Sequence, residues 1–139
     1  MKTRIKRTPF KRKKTSEKTL RKRLYAKAWY WFSLYIKTRD KWQCVTCGKE
    51  LSDNRSQCHA GHYRHGCLDF CKININAQCS GCNNYKHGNL TQYALYLTRK
   101  HGVEILEDLE SRASMQKARP HKYTLEELES IIEEYGVKN

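Results

Sequence analysis

The sequence predicts a small α+β protein whose middle is stapled by zinc and whose flanks are helical. Three observations carry that expectation. Two CxxC pairs, Cys44-Val-Thr-Cys47 and Cys79-Ser-Gly-Cys82, bracket a stretch rich in Cys, Gly, Asn and His. That stretch is poor in aliphatic residues and cannot build an ordinary core. On both sides of it, apolar residues recur at three- and four-residue steps, the mark of helices with one buried face.

The chain of 139 residues carries 28 Lys and Arg against 14 Asp and Glu, a net +14. The excess is concentrated at the start: residues 1–23 hold net +11, residues 24–103 net +7 and residues 104–139 net −4. A charge of this size attracts polyanions, so nucleic acid is the expected partner. No run approaches the ~18 apolar residues of a membrane span. No apolar segment follows the basic start, so no secretory signal is expected. Seven cysteines cannot all pair within one chain. In a reducing compartment, such as the cytoplasm expected for this chain, clustered cysteines favour a metal over disulfides.

In chain order, residues 1–15 lack apolar periodicity and contain Pro9, which predicts a disordered basic arm. Ser16 opens a predicted helix over 17–39, within a unit spanning 16–40, with Leu20, Leu24, Ala28, Trp31 or Phe32, and Tyr35 on one face. The central unit is expected over 41–100, with short strands at Gln43–Val45, Gln57–Tyr63 and Lys72–Ile75. Arg39 and Asp40 are expected to pair just ahead of the first knuckle. Leu90, Tyr93, Ala94 and Leu97 mark a helix stopped by Gly102. Residues 101–139 form a C-terminal helical unit, with helices over 103–113 and 125–135. Thr124 and Glu127 form a capping box for the second, and Gly136 ends it.

Two CxxC knuckles in one small basic domain are a strong zinc signal. Each turns its backbone so that two thiolates point at one place, and together Cys44, Cys47, Cys79 and Cys82 make a tetrahedral soft-donor site. Cys58, Cys67 and Cys71 are left over. They read as small buried hydrophobes, or, with His59, as a second zinc site.

Thirty-one residues lie between the knuckles, long for a simple finger, and they contain Cys58-His59-Ala-Gly-His62-Tyr63 and Asn74, while Asn83 directly follows Cys82. This arrangement resembles the ββα-metal (HNH) nucleases whose motif sits inside a four-cysteine zinc site. The resemblance implies that His62 is a general base, Asn74 its orienting partner and Asn83 a ligand of a catalytic Mg²⁺ or Mn²⁺. A neutral imidazole is suited to deprotonating water near neutral pH. The family commonly carries an Asp immediately before the base, and here that place is Gly61. His59, on the same hairpin, is the favoured substitute ligand, with His87 and Asp69 as further candidates; His65 reads as a solvated loop residue.

The segments YIKTRDKWQCVTCGK, CHAGHY, NAQCSGCN and KHGNL–YALYL are similar to the phage NinG/Rap recombination endonucleases over about residues 32–110. That similarity implies a metal-dependent DNA endonuclease acting on branched recombination intermediates such as Holliday junctions, in the cytoplasm of a bacterial host. A homodimer is expected, because a junction offers two symmetric strands, with the aromatic 17–39 helix as its interface. Arg4, Lys6, Arg7, Lys11, Arg12, Lys13 and Lys14 are expected to bind DNA phosphates. Two rival readings stand: a non-catalytic zinc-finger DNA-binding protein, and a general HNH nicking or homing enzyme.

Overall fold

The computed structural model describes residues 11–51 and 56–137. Arg4, Lys6 and Arg7 lie outside the described residues. Lys11, Arg12, Lys13 and Lys14 are exposed and precede the first regular element.

Helix α1 spans Glu17–Arg39, and its N-cap Ser16 accepts a hydrogen bond from the Thr19 amide. Its buried stripe is Ala28, Phe32, Ser33 and Ile36. This is rotated from the expected one, since Leu20 and Tyr35 are exposed. The reason is what covers the helix. Phe32, Ile36 and Ile75 form a core with Trp29, Phe70 and Tyr135 packed round it. Phe32 meets Tyr135 edge to face at 5.2 Å and Phe70 at 5.5 Å. Of the α1 aromatics, Phe32 is core with Trp29 packed against it, while Tyr30 and Tyr35 are exposed.

Strand β1, Cys58–His62, pairs antiparallel with β2, Ile75–Cys79, in the register Cys58 to Cys79 and His62 to Ile75. The first strand matches expectation. The second begins three residues later than the sequence suggested, and Gln43–Val45 forms only a single bridge, Gln43 to Glu50. All five residues of β2 are buried, Asn76 and Gln78 included, so no alternation of apolar and polar marks it. Hydrogen bonds make the burial of Asn76 tolerable. Asn76 bonds Arg39, Ile73 O and Tyr93 Oη.

Arg39 and Asp40 lock this arrangement. The guanidinium makes a fork to Asp40 at 2.7 and 2.9 Å and reaches Lys72 O, Ile75 O and Asn76 Oδ1. Asp40 Oδ2 accepts from the Ala77 amide at 2.8 Å. The end of α1 is thus fixed to β2 by charge-assisted bonds, the strong class of hydrogen bond.

A π-helical turn over Gly81–Tyr85 follows β2. Then come α2 (Leu90–His101), α3 (Glu104–Ala118) and α4 (Leu125–Tyr135). Helix α2 stops at Gly102, whose φ of 92° favours a residue without Cβ. Helix α3 runs five residues past the expected end, because Ala113 is buried against Leu109 and Gln116 accepts from the Leu68 amide. Helix α4 has the expected bounds and the full Thr124–Glu127 capping box. Among the described residues, no helix is long and apolar enough to cross a membrane.

Candidate functional site

The sulfurs of Cys44, Cys47, Cys79 and Cys82 all lie within 4.8 Å of one another. Zinc held at 2.3 Å by four thiolates spaces its sulfurs about 3.8 Å apart. Cys47 and Cys79 are already 3.7 Å apart. Local folding makes this convergence. The first knuckle turns on Gly48 N to Cys44 O and is tied to β2 by Val45 N to Ala77 O, both short backbone bonds. The second caps itself with Cys82 N on Cys79 Sγ, and Asn89 Nδ2 donates to Cys82 Sγ. Burial opposes ionisation of Cys44, but the Thr46 hydroxyl and backbone amides outweigh it and bring the thiol down to about 6. Burial pushes Cys47 up to about 12. Four soft donors at this spacing fit zinc, and the cluster could hold it as a structural ion.

Of the other cysteines, Cys58 packs beside Cys44 and Cys79, while Cys67 is buried among Leu68, Tyr93 and Leu97 with Cys71 against that group. They make no second metal cluster among the described residues, which accords with small buried hydrophobes.

His62 lies at the end of β1, half-buried, with its ring stacked on Trp29 at 5.4 Å and 17°. Its Nε2 donates to Asp69 Oδ1 at 2.7 Å. Asp69 also accepts from the Tyr25 hydroxyl at Oδ2 and from the Tyr123 hydroxyl at its backbone oxygen. The bond from His62 holds the Asp69 carboxyl below its usual range; burial opposes this and Tyr25 assists it. With Nε2 facing a carboxylate, the neutral tautomer of His62 that this bond favours has its lone pair on Nδ1. His65 is an exposed loop residue, as expected. Its ring faces that of His62 at 6.3 Å, and a Cβ on Gly88 would lie 3.2 Å from its Nε2.

Asn74 is fully buried, and its side chain bonds to backbone groups and not to the His62 ring. Its Oδ1 accepts from the Arg64 amide at 2.7 Å, and its Nδ2 donates to Arg64 O at 3.2 Å. It also approaches Cys67 O and Leu68 O. Asn74 therefore clamps the loop that follows β1, the loop that carries Asp69.

His59 and Asn83 come together, with Asn83 Nδ2 at 2.9 Å from His59 Nδ1. His87 does not join them: it is exposed and sits beyond the π-helical turn with φ of 50°. Gly61 lies against Asn83. A Cβ there would fall 3.0 Å from Asn83 Oδ1 and collide with Gln78 Oε1, so no acid could stand at position 61 without displacing Gln78.

A scan against protein families matches the whole chain, residues 1–139, to the model for the bacteriophage lambda NinG protein. The chain belongs to the NinG family. It is 36% identical over 109 residues to protein ninG of Escherichia phage lambda, and 35% identical over 109 residues to those of Salmonella phage P22 and Escherichia phage 933W. Each alignment covers 75% of this chain and 50% of the relative, so the chain spans about half the length of these curated relatives. No solved structure matches it significantly.

Two features of this NinG-family chain were not singled out from the sequence. Lys18, Arg21, Lys22 and Lys122 line a groove with Tyr25, the residue that holds Asp69. The helical lysines are adjacent to the arm in sequence, but Lys122 joins them only through the tertiary fold. Gln78 is the other: nothing in a QC dipeptide says that its amide oxygen would abut Gly61.

Proposed function

We propose that this NinG-family protein is a metal-dependent DNA endonuclease acting on branched recombination intermediates. The observation that carries the reading is the His62–Asp69 bond, which leaves Nδ1 as a fixed proton acceptor. In this reading, Nδ1 takes a proton from water as its oxygen forms a bond to phosphorus. The phosphorus–oxygen bond to the leaving strand breaks, and that oxygen leaves bearing the electron pair. Trp29 holds the imidazole plane and Asn74 holds the loop bearing Asp69. Asn83, oriented by its bond to His59, would hold a divalent cation, which supplies charge neutralisation at the phosphate when bound.

The basic arm and the Lys18–Lys22–Lys122 groove fit a phosphate backbone. The preference for branched over linear DNA rests on the resemblance of the cysteine–histidine segment to phage recombination endonucleases. Cutting two symmetric strands calls for two centres, so the working form in this reading is a homodimer. A non-catalytic DNA-binding reading draws on one observation, that Gly61 brings no carboxylate to Asn83.

The test is incubation of the zinc-loaded protein with labelled four-way, flap and linear DNA, each with and without Mg²⁺. Mg²⁺-dependent cutting of the four-way substrate above the linear one is expected. Binding without cutting under all metals would establish the non-catalytic reading, and equal cutting of linear duplex the general nuclease.

A further inference from the structure

Gln78 is completely buried in β2, yet its Oε1 has no hydrogen-bond partner among the described residues. The orientation of its amide is settled by its neighbours. Nε2 faces Gly88 O at 2.8 Å and Thr46 Oγ1 at 3.3 Å, and a backbone carbonyl can only accept. The oxygen is therefore the end that points at Gly61, and a lone buried carbonyl oxygen is costly unless something pairs with it.

That oxygen sits where a side chain on Gly61 would begin, and Asn83 Oδ1 lies 3.0 Å from the same point. Asn83 in turn is bonded to His59 Nδ1 at 2.9 Å. His59 sets the orientation of Asn83: its Nε2 lies 3.4 Å from Ser56 O, a carbonyl that calls for the proton there, so Nδ1 carries the lone pair that accepts from Asn83 Nδ2 and Asn83 Oδ1 is turned toward Gln78.

We propose that Gln78 supplies the ligand missing at Gly61, so that Gln78 Oε1 and Asn83 Oδ1, the latter turned by its bond to His59, hold a divalent cation through neutral donors, firmly only when a DNA phosphate completes the set. The inference rests on the endonuclease reading for the role of the DNA. Its logic is electrostatic. Affinity of an oxygen-rich site rises with the number of charged ligands, and substrate phosphates often provide them. A site with no carboxylate gains its only anionic ligand from the substrate. Linkage then requires that cation and DNA strengthen each other's binding by one common factor.

The test is Mn²⁺ binding followed by electron paramagnetic resonance on zinc-loaded protein in a His62→Ala background, which prevents cutting. It is run alone, with a four-way junction, and against the junction alone. Mn²⁺ affinity is expected to rise on the order of tenfold with the junction, within the usual span of coupling between sites. Gln78→Met keeps the side-chain length but removes the carbonyl, and should abolish that rise while zinc content stays at one per chain. Because Gln78→Met also loses the bonds to Gly88 and Thr46, Asn83→Asp serves as the second variant. Asn83 is only half-buried, and an anionic ligand there should tighten Mn²⁺ without DNA and shrink the effect of the junction.

Unchanged Mn²⁺ binding in folded Gln78→Met, or in Asn83→Asp, overturns the assignment. It would mean that Asn83 is turned about and simply caps Gln78 Oε1 with its Nδ2. Cleavage by the unmodified protein is scored separately. If it cuts no DNA yet binds Mn²⁺ through these residues, the endonuclease reading fails and the site stands; if it cuts while Gln78→Met binds Mn²⁺ normally, the reverse holds.

Discussion

His62 Nε2 and Asp69 Oδ1 are 2.7 Å apart, and this one bond decides which nitrogen of the imidazole is free for chemistry. The two residues come from different segments, the end of β1 and the loop clamped by Asn74. Tyr25 reaches the other carboxylate oxygen from α1, so three parts of the chain fix one ring.

Replacing His62 by Ala should leave zinc content and junction binding intact while cleavage falls about 10²–10⁴-fold, the usual share of a general base. Asp69→Asn retains the shape but not the charge that fixes the tautomer. It should lower kcat by about 10²-fold, the scale on which misplacement of a reacting group is felt, with little change in KM. Single-turnover kinetics on the junction would check both; unaltered cleavage in His62→Ala would remove His62 from the mechanism.

Asp69 also makes stability depend on pH. Its carboxyl titrates lower in the folded protein than in the unfolded chain, chiefly through the bond from His62. The unfolded state thus binds more protons as the pH falls through the carboxylate range. The contribution is present above the unfolded value of about 4 and is lost as the pH drops through the lower folded value. Urea midpoints measured between neutral and acid pH should fall less steeply for Asp69→Asn than for the unmodified protein.

Zinc should be bound at one ion per chain, and Cys79→Ser should abolish it. Apparent binding energies of such sites are on the order of 10 kcal/mol, far more than the small cluster of Leu51, Ala77 and Trp42 around the thiols can replace. Loss of amide protection over residues 41–51 and 75–89 is expected, with protection in α1 partly kept. Metal analysis together with hydrogen exchange would settle it, and a folded, zinc-free protein would refute the assignment.

Lys18, Lys22 and Lys122 should each contribute to DNA binding through charge. Replacing all three by Gln is expected to reduce the slope of log K against log salt by about 2.7, at ~0.9 per phosphate contact. Deleting residues 1–15 should reduce it by about 7 if some eight basic residues of the arm touch phosphates. Fluorescence anisotropy over a salt series separates the two, and an unchanged slope for either would assign those cations to solvent.

Much of this protein could be read directly from its residues. The two CxxC pairs specify their own turns, so the four-thiol cluster was legible. So were α1 and α4, whose caps Ser16 and Thr124 act within one turn of chain. The same locality made the pairing of Arg39 with Asp40 visible, but not its reach to Lys72, Ile75 and Asn76.

What the tertiary structure alone decided are relations between distant segments. Strand β2 was misplaced because its asparagine and glutamine are poor strand formers in isolation; there Arg39 and Tyr93 bond the Asn76 amide, and Thr46 and Gly88 take the amide hydrogens of Gln78. Asp69 could be named as a candidate but not as the partner of His62, because a loop seven residues long can bring its end to many places. His59 and His87 were both candidate ligands and His65 a loop residue in the sequence reading; packing places His59 on Asn83, sets the exposed ring of His65 opposite His62 and leaves His87 in solvent. Local patterns encode turns, caps and metal knuckles, since those depend on neighbours along the chain. The orientation of a side chain toward a distant partner depends on how the elements pack, and no spacing in the sequence records it.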